Sequence, residues 1–378
     1  MSLTTTTTPN LPLLERAARV GDEIAAHAER HDRDATFVVE AYDALRREGL
    51  LAAAVPVELG GAGASIAEVT AMQQELGRHC GSTALASAMH QHVTAFTAWR
   101  HRRGLPGAEA TLRRVAEDGI VLVSTGGADF THPRGQAVRV DGGYRVSGTK
   151  AFASQGPVGT AMSTMFPFED PERGTRVLNM SVPLSEPGVG LVDNWDTLGM
   201  RGTGSGDIVV DDVFVPDERV LADRPHGTID PPLQVILSIA MPIISGAYLG
   251  IARSAVDAAT IAAAGSQDPI TQRQIGLMRH RVQVAQWALD GALEVIAEVP
   301  DPSEERMMAA LTAKREVALA AVEVCDLAME VAGGSAFRKG SVIERAYRDV
   351  RAASFHPLTP EQTLRRSGQL AVGVPTDL

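Results

Sequence analysis

The chain has 378 residues, and a single hydrophobic core stops growing near ~250–300 residues, so two or three packed parts are expected. Its 35 Lys and Arg against 46 Asp and Glu leave a net charge of −11, which argues against nucleic acid or an anionic membrane as the main partner. Two cysteines, Cys80 and Cys325, build neither a disulfide framework nor a cysteine-based zinc site, and suggest a reducing, cytoplasmic compartment.

The Thr run between Met1 and Asn10 has no basic or apolar region of a signal peptide and reads as a frayed tail. From there to residue 118 the apolar spacing predicts an all-helical domain. Leu14 to Glu29 carries a helical stripe, and Phe37 to Glu48 is a second helix stopped by Gly49. A glycine-rich turn from Pro56 to Ser65 follows, with Ser65 as N-cap of a helix over Ile66 to Leu76. Ser82 to Arg100 and Ala108 to Glu117 are two more helices. His90 and His92 lie two apart on the first of these, so they point to different faces and cannot chelate one metal.

At Gly119 the texture changes. Ile120 to Ser124 is a β-branched run, and Ala137 to Val140, the turn Asp141-Gly142-Gly143 and Tyr144 to Gly148 spell a hairpin. Further strands are expected at Val177 to Val182 and Ile208 to Val215, so residues 119–225 read as a central domain of short antiparallel strands. Residues 226–378 return to helix in four segments, Ala240 to Ala264, Gln272 to Ile296, Pro302 to Val331 and Gly340 to Ala353, which suit a four-helix bundle. The most apolar stretch, Val235 to Ile251, is broken by Pro242 and by Gly and Ser residues and is too short for a membrane span. The cations are 32 Arg and three Lys (Lys150, Lys314 and Lys339), a skew that reads as coding bias first.

Four stretches stand out in this order: Pro56-x-Glu58-x-Gly60-Gly61-x-Gly63; Gly148-Thr149-Lys150-Ala151-Phe152-Ala153-Ser154-Gln155-Gly156; Leu198-Gly199-Met200-Arg201-Gly202-Thr203-Gly204-Ser205; and Gly333-Gly334-Ser335-Ala336-Phe337 followed by Arg348-Asp349. Together they resemble the acyl-CoA dehydrogenase superfamily over essentially the whole chain. The resemblance implies an α+β fold: an N-terminal helical domain, a central antiparallel β-barrel domain and a C-terminal four-helix bundle. It also implies a flavin, FAD or FMN, and a homotetramer or homodimer.

By the same resemblance Phe152 lies against the flavin ring and Ser154, on the same strand face, reaches flavin N5 or O4. Ser124 and Thr125 match a second flavin-contacting region, although the following loop is shortened to Gly126-Gly127-Ala128-Asp129. Gly333 and Gly334 match a turn that approaches the flavin of a neighbouring subunit, and would in any case end a helix. Arg201 is a candidate for holding a phosphate, carboxylate or flavin carbonyl, and Trp195 for a substrate-side wall. Glu344, Arg345, Arg348 and Asp349 are expected in helix-surface and intersubunit salt bridges.

One departure decides the reaction. A dehydrogenase of acyl thioesters needs a carboxylate to take the α-proton. The family's two positions for that glutamate hold Pro357-Leu358-Thr359 and Ser238-Ile239-Ala240-Met241 here. The family's Arg-x-x-Phe-Gly segment is also replaced, by Gln267 to Arg273. Arg348 to His356 is instead similar to the reduced-flavin-dependent monooxygenase branch of the fold, which carries a histidine at this spacing. A neutral His356 can deprotonate a substrate or relay a proton, with His92, Ser154 and His90 as further active-site candidates. The expectation is a monooxygenase-type enzyme on a small organic substrate, with a separate flavin reductase as its partner. An acyl-CoA or carrier-bound acyl dehydrogenase and a non-catalytic flavin-binding relative are the alternatives.

Overall fold

The structure is a computed structural model that describes residues 12–125, 127–130 and 132–376; the Thr run and Gly126 lie outside the described residues. Helix α1 (Leu13–Asp34) buries Ala17, Val20, Gly21, Ile24, Ala28 and His31, one stripe at helical spacing. After α2 (Val39–Arg47), the helix α3 (Ile66–His79) starts at Ser65, where Ser65 and Glu68 form a reciprocal capping box. Helix α4 (Gly81–Arg102) is buried on nearly all sides although it carries Ser82, Thr83, Ser87, His90, Gln91 and His92. Burial of that many polar groups has to be matched by partners or by a ligand. Helix α5 (Ala108–Glu117) completes this part.

Eight strands follow: β1 (Leu122–Ser124), β2 (Gln136–Val140), β3 (Gly143–Lys150), β4 (Ala161–Asp170), β5 (Gly174–Pro183), β6 (Val189–Leu191), β7 (Ile208–Pro216) and β8 (Val220–Pro225). The hairpin read from Asp141-Gly142-Gly143 is β2–β3. The sheet runs β6-β7-β3-β2-β4-β5-β8, with β1 beside β4. It is not uniformly antiparallel, as expected from the hairpin signals: β1 pairs parallel with β4, and β2 meets β4 in parallel at Ala137 and Phe168. Its own core holds Val123, Val146, Phe166, Leu178, Met180 and Val210.

The C-terminal part comprises α6 (Pro231–Ala262), α7 (Pro269–Ile296), α8 (Glu304–Ala332), α9 (Val342–Asp349), a 3₁₀ turn over Val350–Phe355, and α10 (Pro360–Ala371). Three long helices therefore stand where four were expected; the last expected segment, Gly340 to Ala353, is the short helix α9 running into the 3₁₀ turn, and the further short helix α10 follows His356. Every residue of α6 from Val235 to Ala252 is buried. At 32 residues it is, contrary to the sequence reading, long and apolar enough to cross a membrane, but its apolar window lies wholly inside the protein. It crosses α3 backbone to backbone: a Cβ on Gly250 would come within 2.1 Å of Gln74 O, and one on Gly77 within 2.4 Å of Ala247 O. Helices from both ends of the chain thus share one core.

Arg348 ties the parts together. Expected at a surface, it is 6% exposed. Its guanidinium donates to Asp32 of α1 at 2.5 and 2.9 Å, to Glu344 at 2.6 and 2.8 Å, and to Leu198 O in the loop before β7 at 3.0 Å. The adjoining Asp349 accepts from Met200 N at 2.5 Å. Gly199 is required here, because a Cβ would lie 2.4 Å from Arg348 O. Arg348→Met leaves buried Asp32 without its cation and Glu344 with only the exposed Lys339 at 3.2 Å, and we expect it to cost ~3–5 kcal/mol in urea unfolding; a loss under ~1 kcal/mol would mean the cluster behaves as a solvated surface pair.

Candidate active site

A cleft of about 380 Å³, its open mouth included, lies where α4, the sheet and α6 meet. It is lined by His92, Val93 and Phe96 of α4, Ser124 and Thr125 at the end of β1, Phe130, Ser163 and Met165 of β4, Asn179 of β5 and Ile236 of α6. No carboxylate lines it. His90 and His92 of α4 do face opposite ways. His90 is fully buried, with Nε2 2.8 Å from Leu51 O and Nδ1 accepting from Leu122 N at 3.0 Å. Both ring nitrogens are committed to backbone, so His90 holds β1 against α4 and has nothing left for a substrate.

His92, also buried, has no hydrogen-bond partner among the described residues on either nitrogen. Burial, and then His90, push its pKa down to about 4, so the ring is neutral at physiological pH. Ser124 likewise offers a hydroxyl without a protein partner, while Thr125 donates to Thr164 at 2.7 Å. His356 follows the 3₁₀ turn after α9, and its Nε2 lies 2.7 Å from the Tyr248 hydroxyl of α6. Burial, then Lys314, then His92 lower its pKa to about 3. The two imidazoles are close enough to act on each other, and both are neutral. Burial holds Tyr248 well above the ordinary tyrosine range, so its hydroxyl keeps its proton.

Strand β3 ends at Lys150, so strand alternation does not govern Phe152 and Ser154. Phe152 stands 57% exposed, its ring edge-on to Trp195 at 5.0 Å. Trp195 donates Nε1 to Met200 O at 2.9 Å, so it braces Phe152 from behind. Ser154 accepts from Ser205 at 2.8 Å, and Ser205 is 2.6 Å from Thr203. The flanking backbone bonds Ala153 N to Gly206 O and Gln155 N to Thr203 O set the two hydroxyls side by side. With Ser205 as donor, the Ser154 proton is left pointing away from this chain of hydroxyls. Gln155 is buried and left-handed (φ 60°), joining Tyr42 of α2 to Leu122 O of β1. Arg201, expected to hold a substrate or flavin anion, is instead bound to Asp32 O at 2.6 Å, to Asp196 and to Thr197 O at 2.8 Å, pinning its loop to α1. Gly333 and Gly334 form an exposed turn at the end of α8, with open space where a Cβ would stand.

Tyr248, Lys314, Ser163, Asn179, Ser205 and Thr203 were not singled out from sequence. Tyr248 is one of four tyrosines, set in an otherwise apolar helix, and Lys314 one of three lysines; that rarity was the available signal. The cleft offers a flavin the Ser124 hydroxyl and the His92 imidazole, and the loop after β3, outside the lining of the cleft, offers the exposed face of Phe152 and the hydroxyl of Ser154.

A helical part, a sheet and a second helical part, with such a cleft at their junction, define a flavin-dependent oxidoreductase. The chain belongs to the acyl-CoA dehydrogenase family, whose N-terminal, middle and C-terminal domain models match residues 14–121, 124–213 and 242–361. It is 31% identical to the amino sugar nitrososynthase DnmZ of Streptomyces peucetius, over 96% of this chain and 93% of that one. It is 28% identical to the putative acyl-CoA dehydrogenase YdbM of Bacillus subtilis, over 91% and 92% of the two chains. Among solved structures, KijD3 in complex with FMN and dTDP-3-amino-2,3,6-trideoxy-4-keto-3-methyl-D-glucose superposes with TM-score 0.87 and 28% identity, over 98% of this chain and 96% of that one. The chain is thus a flavoprotein enzyme, aligned with the monooxygenase-type members of its family.

The buried histidines have a consequence for stability. Folded, His90 and His92 stay neutral down to about pH 4; unfolded, they titrate near 6.5. Their folded pKa values lie below the unfolded ones, so this stability is present above 6.5 and lost as pH falls toward 4. We expect each to account for ~3 kcal/mol across that window. Urea unfolding of His92→Gln should lose correspondingly less between pH 7 and 4.5; an identical loss would contradict a buried neutral His92.

Proposed function

We propose that this enzyme uses reduced FMN and dioxygen to oxygenate the amine of a nucleotide-linked amino sugar. The observation that carries this reading is the cleft itself, lined by the neutral imidazole of His92 and by no carboxylate among the described residues, with the neutral ring of His356 near enough to His92 to feel it. A family member that removes an α-proton needs a carboxylate there. The nitrososynthase relatives point to an amine, and the FMN complex of KijD3 favours FMN over FAD. When bound, reduced flavin supplies the two electrons that split dioxygen, one oxygen atom going to the substrate and the other leaving as water.

The residues of this chain supply the rest. A buried cleft without anionic groups disfavours an ammonium and so selects the free-base amine, which has a lone pair to react. Bond formation to oxygen leaves that nitrogen positively charged, and His92 is placed to take its proton. His356, held by Tyr248, accepts or passes on a second proton. Ser154, its orientation set by Ser205, donates to an acceptor atom on the flavin edge. Phe152 and Trp195 form the aromatic wall.

The enzyme acts in the cytoplasm as a homotetramer or homodimer, with a separate reductase supplying FMN in reduced form. Exposed Ile270 and Trp287 on α7, and Phe337 beyond α8, support self-association. The turn at Gly333-Gly334 is open enough for a neighbouring subunit to approach.

The assay supplies a flavin reductase, FMN and a dTDP-amino sugar. We expect the sugar to gain one oxygen atom by mass spectrometry, and a saturated acyl-CoA to leave enzyme-bound oxidised FMN unbleached under anaerobic conditions. Bleaching by the thioester, with no oxygenated sugar, would establish the dehydrogenase reading instead. His92→Ala and His356→Ala are each expected to lower kcat ~10²–10⁴-fold with FMN affinity retained. Equal loss of turnover and flavin binding would assign them structural roles. Ser205→Ala should weaken FMN binding less than Ser154→Ala does.

A further inference from the structure

We infer that Lys314 is a positioning residue: it clamps the loop that carries His356 and, as an unpaired cation, keeps a proton off that ring. This rests on the reading of His356 given above.

Lys314 lies on α8 and is 3% exposed. Its Nζ donates to His356 O at 2.8 Å and to Leu358 O at 2.8 Å, the carbonyls on either side of Pro357. Pro357 is confined from the other side by the turn at Gly127, where a Cβ would stand 2.8 Å from Pro357 Cδ. The ring is held separately, by Tyr248 of α6. Backbone and ring of His356 are therefore fixed by different elements, and Lys314 is the only charged one of these supports.

A compact ammonium with three donors suits two carbonyls that converge on one point; a planar guanidinium, with donors spread along a fork, does not. In a chain with 32 Arg and three Lys, two lysines are buried with their amines against backbone carbonyls. The other, Lys150, donates to Arg134 O and Met165 O, and its charge is matched by Asp129 at 3.0 Å. Among the described residues Lys314 has carbonyl partners but no carboxylate. A buried cation without a counter-ion is costly, and here it is bonded to the backbone carbonyl of His356 itself. The groups that act on His356 are Lys314 from α8 and His92 from α4, both opposing its protonation, while Asp349 of α9 acts on Tyr248. Burial lowers the Lys314 pKa to about 8, so the cation persists through neutral pH.

The test uses the full-length, FMN-loaded enzyme with ¹⁵N-labelled histidine rings, His356 being assigned by its loss in His356→Gln. In the parent, His356 stays neutral down to pH 5. In Lys314→Met we expect it to titrate at least about one pH unit higher than in the parent. We also expect kcat to fall ~10–100-fold with FMN affinity within about threefold, and the acid limb of kcat/KM to move up in pH. Lys314→Arg keeps the charge but not the two-carbonyl geometry, so it should lose kcat without moving the titration. An unchanged titration with unchanged kcat in Lys314→Met overturns the proposal. So does a parallel loss of kcat, flavin affinity and melting temperature, which marks an ordinary core residue. Should Lys314→Met not fold, Lys314→Arg decides: turnover within about threefold of the parent overturns the clamp. Full turnover in His356→Gln would refute the role given to His356, yet leave the titration shift in Lys314→Met as evidence for the charge effect.

Discussion

The molecule depends on a single guanidinium placed where its three parts meet. All five N–H groups of Arg348 point at acceptors, and those acceptors come from α1, from α9 and from the loop before β7. Two carboxylates and one cation inside a protein are costly unless geometry and hydrogen bonding are complete, and here they are. The next residue, Asp349, grips the same loop through Met200 N. That loop runs on to Thr203 and Ser205, and the chain beyond Asp349 runs on to His356. The loop that leads to the hydroxyl donor of Ser154 and the segment that leads to the candidate proton carrier are thus anchored to each other through Arg348 and Asp349.

Neutrality is the second theme of the cleft, and it comes from burial rather than from composition. The protein is acidic overall, but its acidic groups lie elsewhere, and burial is the largest influence on His92, His356 and Tyr248. The same physics separates His90 from His92. Two positions apart on a fully enclosed helix, one ring meets backbone acceptors and donors, and the other meets a space.

Much of this was legible in the residues. Helical periodicity located α1 to α8, the Asp-Gly-Gly turn located the β2–β3 hairpin, and the missing glutamates anticipated a cleft without carboxylates. Strand β4 was not read because Ala161 to Asp170 has a single β-branched residue, Thr164, and a Pro at 167, with the rest in mixed order. The short strands β6 and β8 gave too few residues for a period. The fate of an arginine was harder still. Arg201 looked available for a ligand and Arg348 suited to a surface or intersubunit salt bridge, yet both are consumed by Asp32 of α1, by its carbonyl and its carboxylate respectively. Nothing local to either arginine announces a partner so far away in the chain. Lys314 and Tyr248 are single residues on long helices, and only the fold brings them to His356.

The close crossing of α3 and α6 bears on how the chain is made. Gly77 and Gln74 of α3 meet Ala247 and Gly250 of α6 through bare backbone, across roughly 170 residues of intervening sequence. At ribosomal rates of ~5–20 residues per second, α3 waits on the order of ten seconds or more for its partner. During that time the inward faces of α3 and α4 have no cover, while the sheet, with a core of its own, is free to form first. The first helices to be synthesised are therefore among the last to find their place, and the nascent protein is most exposed to aggregation and most in need of a chaperone until α6 has left the ribosome.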